Sequence, residues 1–494
     1  MRRFLAAALT ACALVLPGAA GAQPAARDPF DLQAMPAAER LAFLRAFPKG
    51  ADLHLHLAGA PYPETYLAWA AEDGLCVDPK TLQLAPPPCK DGLRPAADAL
   101  SDYGLYGQML DSLSTRRPGF MDRSGHDQFF TAFDRYGATL PARQGDMLAD
   151  VMERLAAQNT WYVELMVTPQ SRESRAIGRQ VGWKGDMAAQ RAANSAAGLD
   201  ALVPAAMAQT DAMEARAKAI LKCDTPEARP GCKVTVRYLV QSNRLVPLEE
   251  TFAQLQLGVA LIERDRRWVG LQMVAPEDHP SALRNYRAHM AMVGFLSDQG
   301  RRVKVALHAG ELTPAYATPA DLAFHVRDAV FVAGASRIGH GVALAYEDDA
   351  AGLVAELVRR KVMVEVNLSS NDVILGVKGK DHPWHWLKAA GVAWALSTDD
   401  PGISRSELSQ EYAFGAAEGM TYEDLKRSAR NALAWSFLPG EPLWNDPPSY
   451  VSKHVACRTA VDQFCRALLA RSEKARAQWE LEERIRAFEE ARRR

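Results

Sequence analysis

Residues 51–60 read "ADLHLHLAGA" and follow directly on "FPKG" at 47–50. Side chains at i and i+2 on a strand share a face. Leu53, Leu55 and Leu57 therefore point one way, and His54 and His56 point the other. Two imidazoles on one face fit either half-buried surface or a shared partner, and the decapeptide alone leaves both readings open. The rest of the chain has to choose between them.

Outward from this run the chain alternates short β-rich stretches with helix-length segments. The strands are expected at 51–57, 161–168, 233–242, 268–275, 303–311, 336–341, 361–370 and 392–400. Apolar strands spaced by helices signal parallel β/α units, and eight of them predict an α/β fold of the TIM-type (β/α)8 barrel class. A plain barrel needs about 250 residues. The surplus in this 494-residue chain falls at 75–150, at 171–232 and after 440. The expected organisation is a leader at 1–22, a barrel with two insertions over 23–440, and a helical C-terminal extension over 441–494. A short amphipathic helix is expected at 36–47. The charged tail from 471 carries Leu481, Ile485 and Phe488 on one stripe, which reads as docking against the body, with a homodimer contact as the alternative.

Active-site groups of such barrels come from the C-terminal ends of the strands. His54 and His56 lie near the end of the first strand, and "HAGE" ends the fifth with His308 and Glu311. "GHG" ends the sixth with His340, and "STDDP" ends the eighth with Asp399 and Asp400. All of these polar residues collect at one end of the expected barrel. Three imidazoles and a carboxylate suit a catalytic zinc, one per chain, and His54, His56, His308 and Asp399 supply that set. Zinc lowers the pKa of its water from 15.7 to about 7. His340 can orient that water or accept its proton, and Glu311 can deliver a proton to the substrate. His325, His382, His385 and His454 have no convergent partners in the sequence and read as structural. Ser369, Ser370 and Asn371 fit either a pocket floor or a turn.

These motifs, with "PKGADLHLHLAGA", "RIGHG", "EVNLSSN", "HP" at 382–383 and "SFLPGE", resemble the adenosine/AMP deaminase branch of the metal-dependent amidohydrolases over about 48–440. The pattern is most similar to the secreted, growth-factor-related adenosine deaminases and their bacterial relatives. The resemblance implies zinc on His54, His56, His308 and Asp399, protonation of purine N1 by Glu311, and handling of the attacking water by His340. It also implies that Asp400 hydrogen-bonds N7, and that the substrate is a small aminopurine nucleoside, adenosine giving inosine and ammonia. Two departures stand out. Ala58 occupies a position where the family often has a carboxylate against the ribose. Gln272 and Ala275 stand where it typically has aspartate and a glycine whose backbone N–H meets the purine.

Composition sets the remaining bounds. The chain is 48% hydrophobic and 24% charged, with a net charge of −1 and no basic block, which gives no nucleic-acid track. "MRR", an apolar run and Ala20-Gly21-Ala22 read as a secretory signal, predicting a periplasmic or secreted protein. "LTAC" at 9–12, a lipoprotein box on Cys12, is the alternative. No apolar run reaches transmembrane length. Without Arg2 and Arg3, 56 basic residues face 59 acidic ones, a mature net charge of −3. Six cysteines remain as three local pairs, which favours disulfides in an exported chain. Cys76/Cys89 and Cys223/Cys232 flank Pro-rich loops, whereas Cys457/Cys465 lie in a segment that reads as helix and bridge only if a turn interrupts it.

Overall fold

Gly50–His56 forms the first strand, β1, and all seven of its residues are buried. Seven more strands of the same barrel follow: β2 Thr160–Val167, β3 Thr235–Asn243, β4 Trp268–Val274, β5 Ala306–Ala309, β6 Arg337–His340, β7 Met363–Val366 and β8 Ala393–Leu396. The structure is a computed structural model that describes residues 28–117, 119–298, 303–458 and 461–494, so the expected leader and Cys12 lie outside the described residues. Neighbouring strands pair in parallel as β1-β2-β3-β4 and β5-β6-β7-β8. Parallel bridges from Leu55 to Asp399 and from Leu271 to Val305 join the two halves into a closed ring. The expected α/β barrel is therefore present. Closure leaves no free edge among these strands, and helices outside cover their apolar faces.

The second half differs in detail from its sequence reading. Each of β5 to β8 is only four residues long. The expected seventh strand stops at Val366, and Leu368–Leu375 is a helix. Positive φ ends several strands early: Ala275 at 88°, Gly310 at 71°, His340 at 67° and Asp399 at 64°. Three of these four are non-glycine residues in a region that L-residues rarely occupy.

The barrel's two ends are covered differently. At the N-terminal end of the strands, Ala37–Ala46 and the long helix Glu473–Arg493 pack together. Leu481 and Ile485 are buried there, and Phe488 meets Phe43 and Phe47 edge-on at 5.0 and 5.7 Å. The apolar stripe of the tail thus docks against the body. At the other end, the segment 75–150 folds over the barrel mouth. It contains a small antiparallel sheet centred on Cys76–Val77 and the helix Gly125–Tyr136, capped by Ser124. Tyr136 stacks on Tyr66 at 4.4 Å, which fixes that helix to the mouth.

Three disulfides staple the periphery. Cys76–Cys89 and Cys223–Cys232 hold their loops with Cα separations of 5.4 and 5.5 Å. Cys457–Cys465 also forms, because a short 3-10 turn ends at Cys457 and the next helix starts only at Gln463. Among the described residues, no helix is long and apolar enough to cross a membrane.

Candidate active site

The two β1 histidines point into the barrel, and each has its outer ring nitrogen occupied. His54 Nδ1 lies 2.7 Å from Glu365 Oε2 on β7, and His56 Nδ1 lies 2.8 Å from Gln241 Oε1 on β3. Both rings therefore donate from Nδ1 and turn Nε2 inward. His54 Nε2 is 3.0 Å from His308 Nε2, and His56 Nε2 is 3.3 Å from the same atom. Asp399 Oδ1 is 3.4 and 3.3 Å from the two β1 nitrogens, and its Oδ2 accepts from Ser370 Oγ at 2.7 Å.

The four donor atoms lie within 4.8 Å of one another, and all four residues are buried. Lone pairs so close repel unless a cation sits among them, so the donor set fits a metal ion with nitrogen and oxygen preferences such as zinc. Glycine makes this approach feasible. A Cβ at Gly339 would sit 2.6 Å from His54 Cε1, and one at Gly59 would sit 1.5 Å from Asp400 Oδ1.

The "HAGE" turn is gripped from β4. Glu277, fully buried, accepts backbone N–H bonds from Gly310 and Glu311 at 3.0 Å each and pairs with His325. Gln272 Oε1 accepts from the His308 backbone N–H at 2.8 Å, so the glutamine in the departed position fixes the end of β5. Glu311 itself is 7% exposed. Burial, with the negative charges of Asp399 and Glu277 nearby, pushes its carboxyl well above the usual range, towards the protonated acid. Asp400 is likewise buried, with Oδ1 unpartnered, and burial beside Asp399 raises its carboxyl strongly. His340 Nε2 stands 3.6 Å from Glu311 Oε1 and 4.0 Å from Asp399 Oδ2.

These groups open onto a cavity of about 640 Å³. His56, Ala58, Ala275, His308, Glu311, Asp399 and Asp400 line its floor, and Phe129, Phe130, Phe133 and Leu140 form an apolar wall. Arg123, His126, Asp127 and Asp134 line it from the same covering segment. All the residues singled out at the strand ends thus come together.

Several contributors escape the sequence pattern. Gln241, Glu277 and Glu365 are polar residues in or just after apolar strands, and that contrast is the signal that could have found them. Asn371 sits in the helix Leu368–Leu375 with its Nδ2 2.9 Å from His340 Nδ1, so the "SSN" stretch belongs to the site and not to a plain turn. His382, which reads as structural in the sequence, contacts Asn371 Oδ1 at 3.0 Å. His325 keeps a structural role under the "HAGE" turn.

The family model described as adenosine deaminase matches residues 102–442. An adenine deaminase of Rhizobium leguminosarum bv. trifolii is 34% identical over 152 residues, 30% of this chain and 46% of that protein. An adenosine deaminase of a Mycobacterium species (strain KMS) is 29% identical over 253 residues, 49% of this chain and 62% of that protein. The chain thus spans about half the length of these two curated relatives. The crystal structure of an amidohydrolase from Burkholderia ambifaria with bound zinc superposes with a TM-score of 0.52 at 18% identity, covering 92% of this chain and 96% of that one. With the family model spanning more than half of its length, the chain belongs to the adenosine deaminase family.

Proposed function

We propose that the protein hydrolyses the C6–amino bond of a purine nucleoside, with adenosine and water giving inosine and ammonia. The observation that carries this reading is that Glu311 and Asp400 line the same cavity as His56, His308 and Asp399 of the three-histidine, one-aspartate group, with His340 buried 3.6 Å behind Glu311. A volume of about 640 Å³ suits a nucleoside-sized ligand, since pockets for such molecules run roughly 300–1,000 Å³.

His54, His56, His308 and Asp399 would hold the zinc, which when bound supplies a Lewis acid that acidifies the attacking water to about pKa 7. Glu311, kept protonated by burial, hands its proton to ring N1 and makes C6 electrophilic. Asp400, protonated for the same reason, donates from its unpartnered oxygen to N7 and fixes the ring. His340 faces the water that adds to C6. The resulting tetrahedral carbon then expels the amino group, which takes up a proton and leaves as ammonia. Ala275, at φ 88°, presents its backbone beside the purine, at the position where the family resemblance implies a glycine. The ribose, which Ala58 cannot hold, falls to Asp134 or Asp127 on the covering helix, both lining the cavity, Asp127 with its Oδ1 already 2.9 Å from His126 Nδ1.

The three disulfides support export to an oxidising compartment. A second reading, deamination of free adenine, draws on the relative named adenine deaminase and on Ala58. An ammonia-release assay on the zinc-loaded protein with adenosine, 2′-deoxyadenosine, 5′-deoxyadenosine and adenine separates the two. Adenosine turned over fastest supports the nucleoside reading. Adenine outpacing adenosine replaces it with the second, and release from none of them overturns both.

A further inference from the structure

His340 can serve chemistry in two opposite ways, as a base with a free Nε2 lone pair or as a donor with a proton there. The structure contains a chain of contacts that chooses. It starts at the backbone N–H of Trp384, which lies 3.2 Å from His382 Nδ1. A peptide N–H can only donate, so this ring nitrogen must accept, and a neutral imidazole then carries its proton on Nε2. His382 Nε2 faces Asn371 Oδ1 at 3.0 Å and donates to it. That bond sets the amide's orientation and turns Nδ2 onto His340 Nδ1 at 2.9 Å. Nδ1 of His340 therefore accepts, and its proton resides on Nε2.

Each alternative leaves two donors or two acceptors facing each other. A flipped Asn371 would put its NH2 against the His382 N–H. A His340 proton on Nδ1 would meet the Asn371 NH2. A charged His382 would oppose the Trp384 N–H. His340 and Asn371 are fully buried and His382 is 1% exposed, so bulk water cannot repair a mismatch. Burial also lowers the His382 pKa to about 3, which keeps that ring neutral. Asn367 Nδ2 lies 3.4 and 3.5 Å from the two nitrogens of His340, nearly equidistant, and so does not select between them.

We propose that His382 and Asn371 are positioning residues that lock His340 as the Nε2–H tautomer, so that it meets the reacting oxygen as a hydrogen-bond donor and not as a base. Neither residue touches the substrate cavity. The consequence for turnover rests on the deaminase reading, but the tautomer does not.

The test is the two-bond ¹H–¹⁵N correlation spectrum of the full chain labelled with ¹⁵N-histidine, recorded with and without zinc. His340 is assigned by the signals lost in His340→Gln. The unmodified protein should show the Nε2–H pattern for His340, and an Nδ1–H pattern overturns the proposal. In His382→Glu the new carboxylate accepts from the Asn371 NH2 and turns Oδ1 onto His340. The His340 proton should move to Nδ1, and kcat should fall about 10²-fold, the usual loss of one donor at a reacting oxygen, with KM and zinc content little changed. His382→Gln, which keeps a donor towards Asn371, should retain the Nε2–H pattern and most of kcat. Should His382→Glu not fold, Asn371→Asp makes the same exchange, since a carboxylate accepts from both rings. A folded variant of either kind with the His340 pattern unchanged overturns the proposal. Absence of activity on every aminopurine with the expected spectrum would refute the substrate reading alone.

Discussion

The barrel buries charge at both of its ends, on opposite terms. Towards the N-terminal end, the Arg337 guanidinium lies between two carboxylates, at 2.6 Å from Glu164 Oε2 and 2.6 Å from Glu365 Oε1. The remaining carboxylate oxygens are also taken: Glu164 accepts from the Tyr162 hydroxyl and the Phe437 backbone, and Glu365 accepts from His54. The Phe437 ring covers the guanidinium at 4.0 Å. At the C-terminal end, three imidazole nitrogens and a carboxylate oxygen converge within 4.8 Å of one another, and two protonatable acids stand alongside. Buried polar groups are normally partnered. At the first end the carboxylate oxygens are taken up by protein partners; at the second the donor atoms converge on one another, a set that fits a metal ion. Glu365 belongs to both, one oxygen serving Arg337 and the other orienting His54.

Breaking the matched end should have the largest effect. Arg337→Met leaves Glu164 and Glu365 buried without their cation, and loss of one member of such a network costs about 3–5 kcal/mol. Urea denaturation of the variant should show that loss. A change under about 1 kcal/mol would mean that the network contributes little and that the contrast between the ends is unsound. At the unmatched end the same kind of surgery should harm chemistry and spare the fold. Glu311→Gln should keep zinc and stability while turnover falls about 10²–10⁴-fold, the usual contribution of a general acid. Zinc lost from that variant would make Glu311 a ligand.

A smaller effect is expected on the covering helix. Asp134→Ala should reduce kcat/KM for adenosine by about tenfold or more, one charge-assisted hydrogen bond, and leave free adenine unaffected. If the variant handles both alike, Asp127→Ala should show the loss instead. Insensitivity of both would place the sugar contact elsewhere. The smallest effect concerns Ala275, whose φ of 88° is strained for alanine. Ala275→Gly should raise stability by roughly 0.5–1 kcal/mol in thermal or urea melts, since glycine adopts this conformation freely. Destabilisation would show that the methyl group packs better than the strain suggests.

The same contrast explains how much of the molecule is legible in its sequence. The strand positions are legible because fully buried parallel strands are apolar runs that local pattern reveals, as at 161–168 and 268–275. His54, His56, His308, His340 and Asp399 are legible because each stands at a strand end in a short motif. Their partners are not. Glu365 reaches His54 across 311 positions, and Gln241 reaches His56 across 185, so only closure of the barrel brings them together. His382 looks isolated in the sequence although its link to Asn371 spans just 11 positions, because that link needs the helix Leu368–Leu375, which the β-rich run at 361–370 conceals. The Cys457–Cys465 bridge depends on where a helix begins, which local pattern places least reliably.

If the convergent donor atoms form a metal centre, zinc binding by the full chain stripped with chelator measures it directly. Titration followed by elemental analysis should give one zinc per chain, with a concentration-dependent rise in melting temperature. Replacing His54 and His56 together by alanine should abolish both, while Asp134→Ala leaves them intact. No zinc uptake by the unmodified protein, or full retention in the double variant, would contradict the account.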